Sequence, residues 1–244
     1  KELSDRGSVQ SLKHILNVFE LDDFQTFSLA AANILEKAVI SLDTGLGKTL
    51  IAGGLINLDM SNGRWLFISR ENNLLQTAQK LKTILTGGRQ ILVTNGSEKN
   101  IKYLIDNFSH NTVCVISYTS LNNLDFINFI FERRKTFSGI IVDESHNIGN
   151  KGSNRSEVIK HMMKYQFKYQ YFLTATPLSI NPFQILNQIN MIDRDIVSDP
   201  EALAVQHTVY VNGKPTGYKN LDELYPKQNF NFIFGCLRTK DYKT

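Results

Sequence analysis

Thr44-Gly45-Leu46-Gly47-Lys48-Thr49 places two glycines, a lysine and a hydroxyl side by side. An apolar run, Ala38–Leu42, precedes it, and a helical pattern, Thr49–Leu58, follows. Glycines let backbone N–H groups curl around an oxyanion with no Cβ in the way. The start of the helix adds partial positive charge. The chemistry this favours is phosphate binding, with Lys48 on the terminal phosphates and the Thr49 hydroxyl on a magnesium ion. The general pattern has a further glycine where this chain has Leu42. The loop is therefore of the shorter Gly-x-Gly-Lys-Thr form.

A second group is acidic. Gly139-Ile140-Ile141-Val142 runs into Asp143-Glu144-Ser145-His146. An apolar strand ending in acids delivers carboxylates to the carboxyl edge of a sheet, beside a phosphate loop. Asp143 suits magnesium, which prefers carboxylate oxygens and retained waters. Glu144 suits general-base activation of a water. An isolated Asp-Glu is as often a solvated strand end. In a chain that also carries the Lys48 loop upstream, the pair points to nucleotide hydrolysis.

These residues need a scaffold, and the pattern supplies one. Predicted strands are Ala38–Leu42, Trp65–Ser69, Gln90–Val93, Thr112–Ile116, Gly139–Asp143 and Tyr171–Thr174. Helical spacing predicts Thr49–Leu58, Asn73–Leu85, Ile101–Phe108, Leu121–Phe131, Ser156–Tyr165 and Asn181–Met191. The strands are nearly continuous apolar runs, as a sheet covered on both faces requires. Alternation of strand and helix predicts an α/β fold with a mostly parallel sheet and right-handed crossovers. From Asp193 to Asn231 the chain reads as polar and irregular, with Asn212-Gly213-Lys214 as a hairpin turn.

Taken together, Thr44–Thr49, Asp143–His146 and Thr174-Ala175-Thr176-Pro177 resemble motifs I, II and III of superfamily 2 helicases and translocases. Leu42–Thr49, Val115–Leu121, Asp143–His146 with Asn150, Lys151 and Ser153, Thr176-Pro177-Leu178 with Asn181, and Leu237-Arg238-Thr239-Lys240 look like the corresponding segments of Swi/Snf-type DNA translocases. The resemblance implies a RecA-like P-loop NTPase fold with ATP and Mg²⁺ as ligands. It implies that Gln25 lies at the adenine, with Thr44, Gly45, Leu46, Gly47, Lys48 and Thr49 around the phosphates. It also implies that His146, Thr174 and Thr176 couple nucleotide to track, and that Ser69, Arg70, Ser117 and Tyr118 face the nucleic-acid backbone. Two segments depart from the pattern: Ser69-Arg70 stands where motif Ia carries a proline element, and Thr-Ala-Thr is closer to general helicases than to Swi/Snf types.

The implied activity is an ATP-driven motor on duplex DNA. Strand separation on DNA or RNA is the alternative, and a non-catalytic nucleotide-gated module is a further one. No Asn-Lys-x-Asp element for guanine is present, and a small-molecule kinase would leave Asp143–His146 and Thr174–Pro177 without a role. Motors of this kind have two lobes. The expectation is a first lobe over residues 1–192, with 193–244 as an irregular extension toward a second lobe supplied by a longer parent chain. A first lobe alone is expected to bind Mg-ATP and hydrolyse it slowly.

Composition sets looser bounds. The 244 residues are 42% hydrophobic and 20% charged, ordinary for a globular domain. A net charge of +4 permits a polyanionic partner without requiring one. Two cysteines with no metal-ligand spacing, Cys114 in an apolar run, suggest a reducing compartment and no zinc. No run is apolar enough to span a bilayer, and the polar start predicts no signal peptide. The expectation is an intracellular protein of the cytoplasm, nucleoid or nucleus. Lys160, Lys164 and Lys168 recur at helical spacing and read first as a solvated face.

Overall fold

The apolar runs become strands buried on both faces. In β1 (Lys37–Leu42), β2 (Arg64–Ser69), β4 (Thr112–Ser117), β5 (Phe137–Asp143) and β6 (Tyr169–Thr174) nearly every residue is buried. The computed structural model describes residues 21–148, 154–164, 167–175, 182–192, 199–212, 214–220 and 232–235. With β3 (Gln90–Thr94) and β9 (Phe232–Gly235), these strands form a seven-stranded sheet in the order β3-β4-β2-β5-β6-β1-β9. Every pair in it is parallel.

Helices cover both faces. α1 (Asp23–Leu35), α2 (Lys48–Leu58) and α3 (Leu74–Ile84) lie on one side, where Leu29, Ile51, Leu55 and Leu81 pack on Trp65, Phe67, Val115 and Ile141. The other side carries α4 (Glu98–Asp106), α5 (Leu124–Glu132), α6 (Asn154–Lys164) and α7 (Pro182–Ile192). There Leu104, Phe126, Ile159 and Leu186 pack on Leu66, Ile68, Ile116 and Val142. Successive residues of β2 alternate between the two layers, as the two-residue strand period demands. Gly139 permits one close approach: a Cβ there would stand 2.4 Å from the Trp65 ring. Trp65, Tyr169 and Tyr171 stack with their rings near-parallel, and Trp65 donates its indole N–H to Asp59.

The structure adds elements to the predicted strands and helices. α1 opens with a capping box, Asp22 accepting from the Gln25 N–H and Gln25 from the Asp22 N–H. Within the stretch read as irregular lie α8 (Pro200–His207) and an antiparallel hairpin, β7 (Thr208–Val211) with β8 (Lys214–Tyr218). The hairpin turns at Asn212, whose φ is +52°, as its sequence suggested. β9 pairs with β1 through Val39–Leu42, so the chain beyond residue 193 contributes a strand to the main sheet.

Candidate nucleotide and coupling site

A parallel sheet has a single carboxyl edge, and every strand delivers its last residue there. Register fixes the neighbours: Ser69 lies opposite Ser117, Asp143 opposite Leu173, and Ser41 opposite Thr174. The phosphate loop leaves β1 on the same edge. A cavity of about 330 Å³ is lined by Thr44, Gly45, Gly47, Lys48, Thr49, Asp143 and Glu144, with Gln76 and Lys80 of α3 opposite. Sequence reasoning did not anticipate the α3 wall.

The loop has the predicted glycine geometry. Gly45 and Gly47 have φ of +90° and +85°, and Gly47 is the N-cap of α2 with no side chain capping it. Its N-terminal N–H groups therefore remain available to an anion. Lys48 Nζ donates to the carbonyls of Leu42 at 3.1 Å and Asp43 at 3.5 Å. Gln25 sits against the loop and donates through Nε2 to the Leu46 carbonyl at 3.3 Å. Its Oε1 accepts from the Asp22 N–H, so both ends of the amide expected at adenine serve the cap and the loop.

Asp143 is 9% exposed. One carboxylate oxygen accepts from the Glu144 N–H at 3.0 Å, the other from Ser69 Oγ at 3.3 Å. Burial, reinforced by the neighbouring Glu144 charge, pushes its pKa up to about 6, against the pull of Lys48 and these hydrogen bonds. A buried carboxylate short of positive charge beside a lysine and a hydroxyl fits a magnesium ion. Among the described residues no group of three or more His, Cys, Asp and Glu could hold a metal. Magnesium takes one or two protein oxygens and completes its shell with phosphate and water.

Glu144 has φ of +52°, a left-handed conformation that a non-glycine residue holds only against resistance. Its carbonyl is clamped by Asn147 Nδ2 at 2.7 Å, the Asn147 N–H at 3.0 Å and the Tyr118 hydroxyl at 3.4 Å. Tyr118 also donates to the Asp143 carbonyl at 2.6 Å. His146 links the acids to β6. Its Nδ1 lies 3.3 Å from a Glu144 carboxylate oxygen and 3.2 Å from Thr174 Oγ1. Its Nε2 lies 2.8 Å from the Arg70 guanidinium. Burial lowers the His146 pKa; Arg70 and Lys48 lower it further, and Glu144 opposes them.

Three residues expected at the nucleic acid lie inside. Ser69 and Ser117 are fully buried and Tyr118 is 5% exposed. Ser69 serves Asp143, Ser117 Oγ accepts from the Ser120 N–H, and Tyr118 braces the acidic turn. Only the Ser117 partner is local; Ser69 and Tyr118 meet Asp143 across the sheet, where strand register brings the loops together. Of the four, only Arg70 is exposed. Thr174 is buried against His146, whereas Thr176 lies outside the described residues. Asn147, which holds both Glu144 and Arg70, was missed; its place directly after the acidic motif was the available signal.

A family model described as "Type III restriction enzyme, res subunit" matches residues 9–179. The chain belongs to that family. No curated protein matches it. Two solved structures share the fold. The Sulfolobus solfataricus SWI2/SNF2 ATPase core in complex with dsDNA aligns with a TM-score of 0.57 and 16% identity, over 74% of this chain and 37% of that one. The Pyrococcus furiosus Hef helicase domain aligns with a TM-score of 0.60 and 22% identity, over 72% of this chain and 37% of that one. This chain thus spans little more than a third of either. The type III restriction enzyme fold in hand is a RecA-like lobe of helicase type, an ATPase-like domain of the helicase and translocase kind. Helicase-family ATPases generally use ATP and Mg²⁺. No helix among the described residues is long and apolar enough to cross a membrane.

Proposed function

We propose that the chain is the ATP-binding lobe of a motor that moves along duplex DNA. The carrying observation is the convergence of Lys48, Thr49, Asp143 and Glu144 on one cavity at the carboxyl edge of the sheet. Lys48 leaves its carbonyl partners for the β- and γ-phosphates, and the α2 N-terminus supports the same charge. Thr49 and Asp143 would hold magnesium, which when bound would neutralise charge developing on the phosphates. Glu144, fixed at its strained turn, orients and deprotonates the attacking water. Thr174 and His146 transmit the state of that carboxylate toward Arg70. Gln25 reads adenine only by giving up its cap or loop contact. The lobe is built on residues 1–192, with β9 of the 193–244 extension added at its sheet edge, and a second RecA-like lobe of the parent protein closes the site, in keeping with the chain spanning 37% of each structural neighbour. Fast turnover by this chain alone would contradict that arrangement.

Duplex DNA is favoured by the Swi/Snf-like segments and by a neighbour solved on dsDNA. Strand separation is favoured by Thr174-Ala175-Thr176 and by the helicase-domain neighbour. A binding module without catalysis would have little use for both Lys48 and Glu144. The deciding experiment is Mg-ATPase of the full-length parent, with duplex DNA, single-stranded DNA or RNA, beside Lys48→Ala. Stimulation by duplex that disappears in the variant supports the translocase. Stimulation by single strands alone moves the assignment to a helicase. No nucleic-acid response, with Lys48→Ala silent, refutes a motor.

A further inference from the structure

Arg70 is the exposed end of a line of polar contacts that reaches Glu144, the proposed general base. Its guanidinium touches His146 Nε2 at 2.8 Å and Asn147 Oδ1 at 3.2 Å. An arginine only donates, so Nε2 must accept. The imidazole proton then sits on Nδ1, pointing at the Glu144 carboxylate and Thr174 Oγ1, 3.3 and 3.2 Å away. That N–H occupies a carboxylate oxygen that would otherwise face a water. The imidazole is half-buried and its pKa is lowered, which keeps the neutral ring that tautomerism requires.

Building on the motor reading above, we propose that Arg70 is a tautomer lock. While it holds Nε2, His146 restrains Glu144. When a nucleic-acid phosphate draws the guanidinium away, the ring proton moves through water from Nδ1 to Nε2. Nδ1 then accepts the Thr174 hydroxyl, and the Glu144 carboxylate is released for catalysis. Arg70 is thus a positioning residue that acts through His146 and converts phosphate contact into a freed Glu144 carboxylate. A guanidinium suits this exchange because a phosphate offers it a stronger, bidentate partner than an imidazole nitrogen does.

The test is the ring spectrum of His146 in the ¹⁵N-labelled chain, assigned by its loss in His146→Asn. Long-range ¹H–¹⁵N correlations distinguish the two neutral tautomers. The free protein should show the Nδ1–H form. A short DNA duplex should convert it to Nε2–H, and Arg70→Ala should show Nε2–H without DNA. In the full-length parent, Arg70→Ala should raise basal kcat about tenfold, the worth of one hydrogen bond to a charged group, with the KM for ATP unchanged. That rise should vanish in the His146→Asn background. Nδ1–H persisting in Arg70→Ala, or a basal rate that falls, overturns the lock. DNA affinity is followed in the same samples by anisotropy. Absent DNA binding counts against the motor reading, while the Arg70→Ala spectrum still decides the lock.

Discussion

Replacing Asp143 by Asn should stabilise the free protein while removing its hydrolytic chemistry. A carboxylate whose pKa is higher folded than unfolded opposes folding once ionised. Below its ordinary value of 3.8 both states hold the proton and no penalty exists; the penalty grows up to about pH 6 and is complete above it. At about 1.4 kcal/mol per pH unit, the rise from 3.8 to about 6 amounts to about 3 kcal/mol at pH 8. Asparagine keeps an acceptor for the Glu144 N–H and can meet Ser69 Oγ, so the two hydrogen bonds survive in altered form. In a domain of this size the gain corresponds to a Tm rise on the order of 6–12 °C. Calorimetry at pH 8 and pH 4 measures it. The rise should be large at pH 8 and mostly gone at pH 4, and Mg-ATP should stabilise the wild type more than the variant. An equal gain at both pH values would show that packing rather than charge sets the effect. A loss at pH 8 would show that Asp143 is held by attractive partners and that the charge argument is wrong.

Tyr118→Phe removes the hydroxyl that donates to the Asp143 and Glu144 carbonyls. It should cost about 1 kcal/mol in denaturant melts and lower kcat, with DNA affinity unchanged; a selective loss of DNA affinity would return Tyr118 to the nucleic-acid surface. Gly47→Ala places a Cβ 2.7 Å from Gln25 Nε2 at a φ of +85°. It should cost about 1–2 kcal/mol and weaken ATP binding in calorimetric titration. Adding Gln25→Ala should recover only the steric part; full recovery would show that the backbone conformation was not limiting. Asp22→Ala removes the α1 cap and should lower stability by about 1 kcal/mol by thermal melting, with a loosened Gln25 contact to the loop.

Much of the scaffold was legible because buried parallel strands must be apolar along their whole length. Trp65–Ser69 and Thr112–Ile116 were read within a residue of β2 and β4. Helix ends were less legible: α4 begins at Glu98, where the apolar pattern suggested Ile101, since the first turn is polar and its apolar stripe starts later. α1 escaped because exposed Phe27 and Ile34 blur its stripe, although Asp22-x-x-Gln25 announced its start. β9 escaped because a short strand separated from β1 by most of the chain is defined by its pairing, and pairing is not local.

For the site, the sequence determined which residue types stand at which strand ends. Gly47-Lys48-Thr49 and Asp143-Glu144 carry their chemistry in composition and spacing, and a parallel sheet can deliver them only to one edge. What each end residue touches was decided by tertiary structure. Ser69, Ser117 and Tyr118 look like surface contacts in sequence and are internal braces in three dimensions. Arg70, expected at the nucleic acid, and Asn147, which looks incidental in sequence, hold the acidic turn from outside. The reason is register: strand order β4-β2-β5-β6 sets the loops side by side, and only then does a hydroxyl or guanidinium meet a partner more than seventy residues away.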